Sequence, residues 1–319
     1  MKIMEFYETA PTHDLTYSDV FLVPRGSNVK SRLDVSLAPG DGTAATIPVV
    51  SANMNSVTGP RLAATLARRG GLGILPQDMH LQDLDAAIRW VKAQPPQWDI
   101  PLELRADETV GMALSLVPPV AGHGIVVRDG GALVGCIPAS RLATALPDAR
   151  LGDLVHGSLA SIDADDVESP RAAFDLMVAA DLDFAPVLHH GSLVGTLSRT
   201  SALRSTLYDS ALDRDGRLVV GAAIGINGDV ALKARALVSA GVDVLVIDTA
   251  HGHQGAMIKA ISAVAALDLG VPIVAGNVVT REGVRDLVKA GAHIVKVGVG
   301  PGAMCTTRMM TAVGRPQFS

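Results

Sequence analysis

Short apolar runs alternating with amphipathic stretches predict an α/β protein built on a parallel sheet. The runs LVVGAAI (218–224), VDVLVID (242–248), VPIVAG (271–276) and HIVKVG (293–298) are continuous in Val and Ile, as strands covered on both faces require. Between them, Asp229 and Thr280 stand where helix N-caps belong, and Gly241 and Gly291 where C-caps belong. Polar residues fall just past strand ends, at Asn53, Asp248, Asn277 and Cys305, where the βα loops of such folds carry function.

From the N-terminus, the same pattern gives a strand at IPVVSANM (47–54), a helix at GPRLAATLARR (59–69), a strand at GLGIL (71–75) and a helix over about 81–93. Together with the later runs this makes six βα strands, which fit a doubly wound sheet or a (β/α)8 barrel equally well. The segment 96–206, opened by the proline-rich AQPPQWDIP, interrupts the alternation as an insertion. It contains an internal repeat: residues 107–142 are echoed by 165–203, each half reading helix, two strands joined by a short Gly turn, then helix. This pattern resembles a CBS pair (a Bateman module), which implies regulation by an adenine or guanine nucleotide. Both halves lack the acidic residue such modules often place after the last strand, and Ser201 and Ala202 stand there instead, so a purely architectural role stays open.

The 319 residues are 48% hydrophobic and 18% charged, a globular composition that excludes a disordered chain. A net charge of −5 offers no electrostatic grip on nucleic acid or an anionic membrane. Two Trp, three Tyr and five Phe are too few for a base-stacking surface. No apolar run approaches the length of a membrane span, and the N-terminal stretch has no apolar signal core, so a cytoplasmic location is expected. Cys136 and Cys305 are too far apart in sequence for a CxxC zinc site and too few for a disulfide scaffold.

The sharpest local signal is GVGPGAMCTTR (298–308), directly after a strand. Its glycines and proline force a tight turn that brings backbone amides and carbonyls close to a ligand. Cys305 on this loop reads either as a nucleophile, if backbone amides or a cation lower its pKa, or as an inert buried thiol. Thr306, Thr307 and Arg308 beside it are unusual companions for a core thiol and favour the first reading. Cys136, inside an apolar strand, reads as packing. His251 and His253 in DTAHGHQG form an i, i+2 pair without a third ligand in view, and His189-His190 reads as an exposed hairpin turn.

The cysteine loop together with TAVGRPQ (311–317), LTYSDVFLVP (15–24), SANMNSVTG (51–59), GGLGIL (70–75), VDVLVIDTAHGH (242–253), AGNVVT (275–280) and KVGVGPG (296–302) closely resembles the IMP dehydrogenase and GMP reductase family. The resemblance implies a (β/α)8 TIM barrel, truncated here after about its sixth strand, with barrel segments at 1–95 and 207–319 around a CBS pair at 96–206. It implies a homotetramer or homo-octamer acting on GMP or IMP with a nicotinamide cofactor. Cys305 matches the nucleophile that attacks purine C2, and Thr307 the residue that assists the leaving group. Asp248, Thr249, Gly252 and Asn277 match cofactor contacts. Ala52, Met54, Asn277, Lys296, Gly302, Ala303 and Thr307 match substrate contacts. The backbone carbonyls of Gly300, Gly302 and Cys305 match those that hold a monovalent cation, with potassium the candidate. Turn and cap roles for Asp248 and Asn277 stay open beside these.

Within the family, SNVKSRLDVSL (27–37), Ala52-Asn53-Met54 and GNVVT (276–280) resemble the reductase pattern, whereas IDTAHGH (247–253) and the CBS insertion are closer to dehydrogenases. The balance favours an NADPH-dependent GMP reductase of purine salvage. The alternatives are an NAD-dependent IMP dehydrogenase and a non-catalytic, CBS-bearing nucleotide-binding protein. Two positions depart from the family pattern: Ala303 replaces a phosphate-contacting serine, and Gln77 a lysine usual after the second strand. The family's seventh and eighth strands, DGG loop and flap have no counterpart before Ser319, so a polypeptide limited to these residues is expected not to turn over.

Overall fold

The computed structural model describes residues 12–155, 160–302 and 306–318. Its centre is a six-stranded, wholly parallel half-barrel. The first two strands are β1 (Val50–Ser51) and β2 (Leu72–Leu75), each followed by a helix, α1 (Pro60–Arg68) and α2 (Leu81–Lys92). Next in the chain comes the insertion. It comprises β3 (Glu103–Arg105), α3 (Val110–Leu116), β4 (Gly124–Asp129), β5 (Ala132–Pro138), α4 (Ala139–Leu142) and α5 (Leu151–Leu154), then β6 (Ile162–Asp163), α6 (Pro170–Ala179), β7 (Phe184–His189), β8 (Ser192–Ser198) and α7 (Arg199–Ser205). The half-barrel resumes with β9 (Gly221–Ile224), α8 (Val230–Ala240), β10 (Val244–Asp248), α9 (Gly255–Ala265), β11 (Ile273–Val278), α10 (Arg281–Ala290), β12 (Ile294–Val297) and α11 (Thr306–Thr311).

The strand order β1-β2-β9-β10-β11-β12 places the insertion between two adjacent strands, so the sheet closes over it as though it were absent. The sequence reads correctly where strands are central. Every residue of β2 and β9 is buried, as is β10 up to Asp248, matching their unbroken apolar runs. The expected caps form: Asp229 accepts from Leu232 N at 2.9 Å and Thr280 from Gly283 N at 3.1 Å, while Gly241 and Gly291 end their helices with φ of 102° and 115°. The first strand is shorter than its apolar run. Only Val50–Ser51 pair regularly with β2, because β1 is an edge strand and Pro48 has no N–H to donate.

Helix and strand approach closely at α1, whose Ala63, Ala64 and Ala67 are fully buried. A Cβ on Gly73 would lie 2.4 Å from Ala63 Cα, so glycine in β2 permits this contact. At the N-terminal end of the sheet, Lys92 is buried and donates to Asp213 at 2.9 Å and to both oxygens of Asp243, at 2.8 and 2.6 Å. Asp243 also accepts from Val220 N at 2.7 Å, joining α2 to the entries of β9 and β10.

The insertion is two copies of one unit with separate hydrophobic cores. Each has a short strand parallel to the first arm of an antiparallel hairpin, β3-β4-β5 and β6-β7-β8. The hairpins correspond residue for residue: Gly124 pairs Pro138 as Phe184 pairs Ser198, and both registers shift after Val127 and Val187. Both turns put two consecutive residues at positive φ, Gly130-Gly131 and His190-Gly191, the hand that suits two-residue hairpins. No helix among the described residues is long and apolar enough to cross a membrane.

Candidate functional site

The C-terminal ends of β1, β10 and β12 bring three polar side chains from distant sequence positions into one cluster. Lys296 Nζ donates to Asn53 Oδ1 at 2.9 Å and to Asp248 Oδ1 at 3.1 Å, and Asn53 Nδ2 donates to Asp248 Oδ2 at 2.9 Å. Lys296 and Asp248 lie on the sheet, while Asn53 reaches them from the loop after β1. That loop is fixed by buried Thr58, which donates to Ala52 O at 2.6 Å and to Ser51 Oγ at 2.8 Å. Below the cluster, the inner face of the half-barrel encloses about 420 Å³ lined by Leu72, Ile74, Val246 and Val274, with Asn53 and Lys296 at its polar end.

Asn277 is positioned by an irregularity. The β11–β12 register pairs Gly276 with Lys296 and Val278 with Val297, so Asn277 bulges out of the ladder. Its side chain donates to Gly298 O at 2.7 Å, tying the end of β11 to the glycine-rich loop. Its backbone binds the loop after β10: Asn277 N donates to Thr249 O at 2.9 Å, and Gly252 N donates to Asn277 O at 2.7 Å. A Cβ on Gly252 would meet that carbonyl at 2.7 Å, so its lack of a side chain serves close packing. Thr249 N is likewise bonded to Gly276 O at 2.9 Å, and its half-buried hydroxyl accepts from Gln254 Nε2 at 3.5 Å.

The structure thus unites Asn53, Asp248 and Lys296 directly and joins Asn277, Thr249 and Gly252 to them through β11. Ala52 and Met54 are exposed on the rim beside Asn53. Gly300 is buried in the turn at φ 61°, Gly302 is exposed, and Thr307 is half-buried in the first turn of α11. Cys305 and Ala303 lie outside the described residues. Sequence reasoning placed Asn53 at a strand end and in a reductase-like Ala52-Asn53-Met54 triplet but gave it no partner. Its role as the bridge between Lys296 and Asp248 appears only when positions 195 and 243 residues away meet it. Gln77, just past β2, buries its Oε1 without a hydrogen-bond partner among the described residues.

The remaining candidates resolve simply. Burial pushes the Cys136 thiol up to about 11, which keeps it protonated and inert, as its strand position predicts. His253 Nε2 lies 2.8 Å from Asp286 Oδ2 and His251 is exposed, so the pair does not converge on an ion. His189 and His190 are exposed at the hairpin turn, as expected.

Comparison with known proteins identifies the family. The family described as IMP dehydrogenase / GMP reductase domain matches residues 14–319. A protein of Mycobacterium tuberculosis (strain ATCC 25618 / H37Rv) named GMP reductase is 52% identical over 316 residues, covering 97% of this chain and 64% of that protein. An inosine-5'-monophosphate dehydrogenase of Mycobacterium leprae (strain TN) is 35% identical over 312 residues, covering 96% and 59%. A crystal structure of a GMP reductase variant from Trypanosoma brucei in complex with guanosine 5'-monophosphate superposes with a TM-score of 0.58 at 30% identity, covering 97% of this chain and 67% of that one. The chain therefore spans somewhat less than two thirds of the length of the curated relatives it matches. With that match running from residue 14 to the end and the polar cluster standing at the strand ends, the chain belongs to the IMP dehydrogenase / GMP reductase family.

Proposed function

We propose that the protein is an NADPH-dependent GMP reductase of purine salvage, converting GMP to IMP and ammonia through a covalent bond between Cys305 and purine C2. The observation that carries this reading is the greater likeness to the mycobacterial reductase, 52% against 35% for the dehydrogenase. In this reaction the Cys305 thiolate adds to C2 of GMP, the exocyclic nitrogen takes a proton and leaves as ammonia with help from Thr307, and the C–S bond breaks when C2 is reduced. NADPH supplies that hydride when bound.

The residues present fit such a ligand pair. Asp248 accepts one bond on each oxygen, and a carboxylate has about four acceptor sites, so capacity remains for ribose hydroxyls. Lys296 holds that carboxylate in place, and Asn277 and Thr249 add polar groups from the loops after β11 and β10 in this reading. Ala52, Met54, Gly302 and Ala303 complete the substrate contacts in this reading. Gly300 and Gly302 fit the proposed potassium site, because their carbonyls accept no hydrogen bond from any described residue. Oxygen ligands of this kind suit a hard monovalent cation, with the Cys305 carbonyl as a third.

The segment 96–206 fits a CBS pair between barrel segments 1–95 and 207–319, on the strength of its two matched hairpin units. Ser201, where such modules often carry an acid, hydrogen-bonds to Asp99, so a carboxylate from the linker occupies that neighbourhood. An adenine or guanine nucleotide effector, a homotetramer or homo-octamer and a cytoplasmic location belong to the same proposal. Phe21 and Leu22, almost fully exposed, are apolar side chains that an assembly would cover.

Incubating the intact protein with GMP and NADPH, and separately with IMP and NAD, while following nicotinamide absorbance tests the reaction and its direction. GMP-dependent NADPH oxidation that is lost in Cys305→Ala, with GMP binding retained, is the expected result. NAD reduction by IMP alone would reverse the assignment, and activity surviving in Cys305→Ala would remove the nucleophile.

A further inference from the structure

A second polar site lies away from the strand ends, where the insertion meets the half-barrel. The last turn of α1 places Arg68 and Arg69 against the incoming linker Pro96–Asp99 and the last turn of α7, which carries Arg204 and Ser205. Between them is a cavity of about 260 Å³.

Arg68 is the anomaly. It is 8% exposed, its Nε donates to Pro95 O at 2.9 Å, and its two terminal nitrogens are buried without an acceptor among the described residues. Leaving charged donors buried and unpaired is among the costlier arrangements in a protein interior. Burial lowers its pKa to about 10, against the opposing pull of the Asp99 charge and with smaller repulsion from Arg61 and Arg69, so the guanidinium stays charged at neutral pH. The one carboxylate in the cavity wall, Asp99, is engaged by Ser201 and forms no ion pair with Arg68. The guanidinium groups of Arg69 and Arg204 likewise have no hydrogen-bond or ion-pair partner among the described residues. The cavity thus faces three cations and one anion, with the hydroxyls of Ser205 and Tyr208 beside them.

The carbonyl ends of α1 and α7 oppose an anion here, but each carries only about half a charge. Those of α1 are also occupied, since Ser210 Oγ donates to Arg68 O at 3.0 Å and Gly70 N to Ala67 O at 3.0 Å. Three positive charges against the single charge of Asp99 still outweigh them. Guanidinium forks match the oxygens of phosphate better than they match a spherical halide. The volume is below the roughly 300–1,000 Å³ of sites that enclose drug-sized ligands, which favours a small oxyanion group.

We propose that this junction binds a phosphate dianion, free or as the phosphoryl group of a larger molecule, which clamps the insertion to the half-barrel through Arg68, Arg69 and Arg204. Because both linkers of the insertion pass the cavity, an occupant restrains the insertion relative to the sheet without touching Asn53, Asp248 or Lys296.

The test is a titration of the intact protein with inorganic phosphate, with chloride at matched ionic strength as control and AMP as the nucleotide arm. Thermal stability and the rate of proteolysis at the linkers are the readouts. A saturable rise in melting temperature and linker protection with phosphate, absent with chloride and weakened about tenfold or more in both Arg204→Gln and Arg69→Gln, is the expected result. Arg68→Met abolishes the response while leaving the phosphate-free protein at least as stable, since it removes an unpaired buried charge. If Arg68→Met fails to fold, the other two variants decide. A response to AMP but not to phosphate, lost in the same variants, assigns the group to a nucleotide. No saturable response to either ligand, or equal affinity in Arg204→Gln, Arg69→Gln and the unmodified protein, overturns the site.

Discussion

Two lysine–aspartate clusters stand at opposite ends of β10 and use the same chemistry for different ends. At the N-terminal end, Lys92 is 6% exposed and sits between Asp213 and Asp243, with backbone N–H groups completing both carboxylates. At the C-terminal end, Lys296 is 36% exposed and shares Asp248 with one side-chain amide, leaving acceptor capacity over. The first arrangement is closed and saturated, so its residues can only hold the fold. The second is open and under-saturated, which leaves it able to take up a ligand's hydrogen-bonding groups. An ion pair therefore says little about function until its burial and the completeness of its hydrogen bonding are known.

The contrast is most sharply broken by Lys92→Met, which strands two half-buried carboxylates and is expected to cost about 3–5 kcal/mol in denaturant unfolding. Gly276→Ala should lose less, about 1–3 kcal/mol, because its new Cβ would lie 2.5 Å from the Lys296 carbonyl and must push β11 and β12 apart. Unlike Lys92→Met, it displaces Lys296 itself, so ligand binding at the strand ends should fall further than stability. Smaller still is the pH dependence of the closed cluster. Desolvation pushes Asp213 upward, but hydrogen bonds from Lys92 and the Arg217 backbone, with the Lys92 charge, outweigh it and hold the carboxyl at about 2. A carboxylate depressed from 3.8 contributes stability that is whole above its unfolded value and is lost as pH falls toward 2. Acid unfolding of Asp213→Asn should lack that part of the descent below pH 4, and an unchanged acid limb would count against the pairing.

How much of this was legible in the sequence follows from the range of the interactions. The central strands, the caps at Asp229, Thr280, Gly241 and Gly291, and the repeated hairpins of the insertion depend on neighbours within a few residues, and local pattern specifies them. The edge strand shrank because its apolar run carries no information about having one partner instead of two. At the site, Asp248, Asn277 and Lys296 were recognisable from family motifs, but the bridge made by Asn53 joins residues 195 and 243 positions apart and has no local signal. No local pattern marks Lys92 or Asp243 for burial. Their burial depends on the 210–217 turn, which folds back to supply Asp213.

The functional half of the comparison is tested most directly by Lys296→Met in the intact gene product, measured for GMP-dependent NADPH oxidation and for unfolding free energy on the same preparation. The expected result is a fall in kcat/KM of about a hundredfold or more with stability changed by less than about 1 kcal/mol, because the partly exposed pair contributes little to folding. Near-normal turnover, or a loss of stability approaching that of Lys92→Met, would contradict the assignment of the open cluster to the active site.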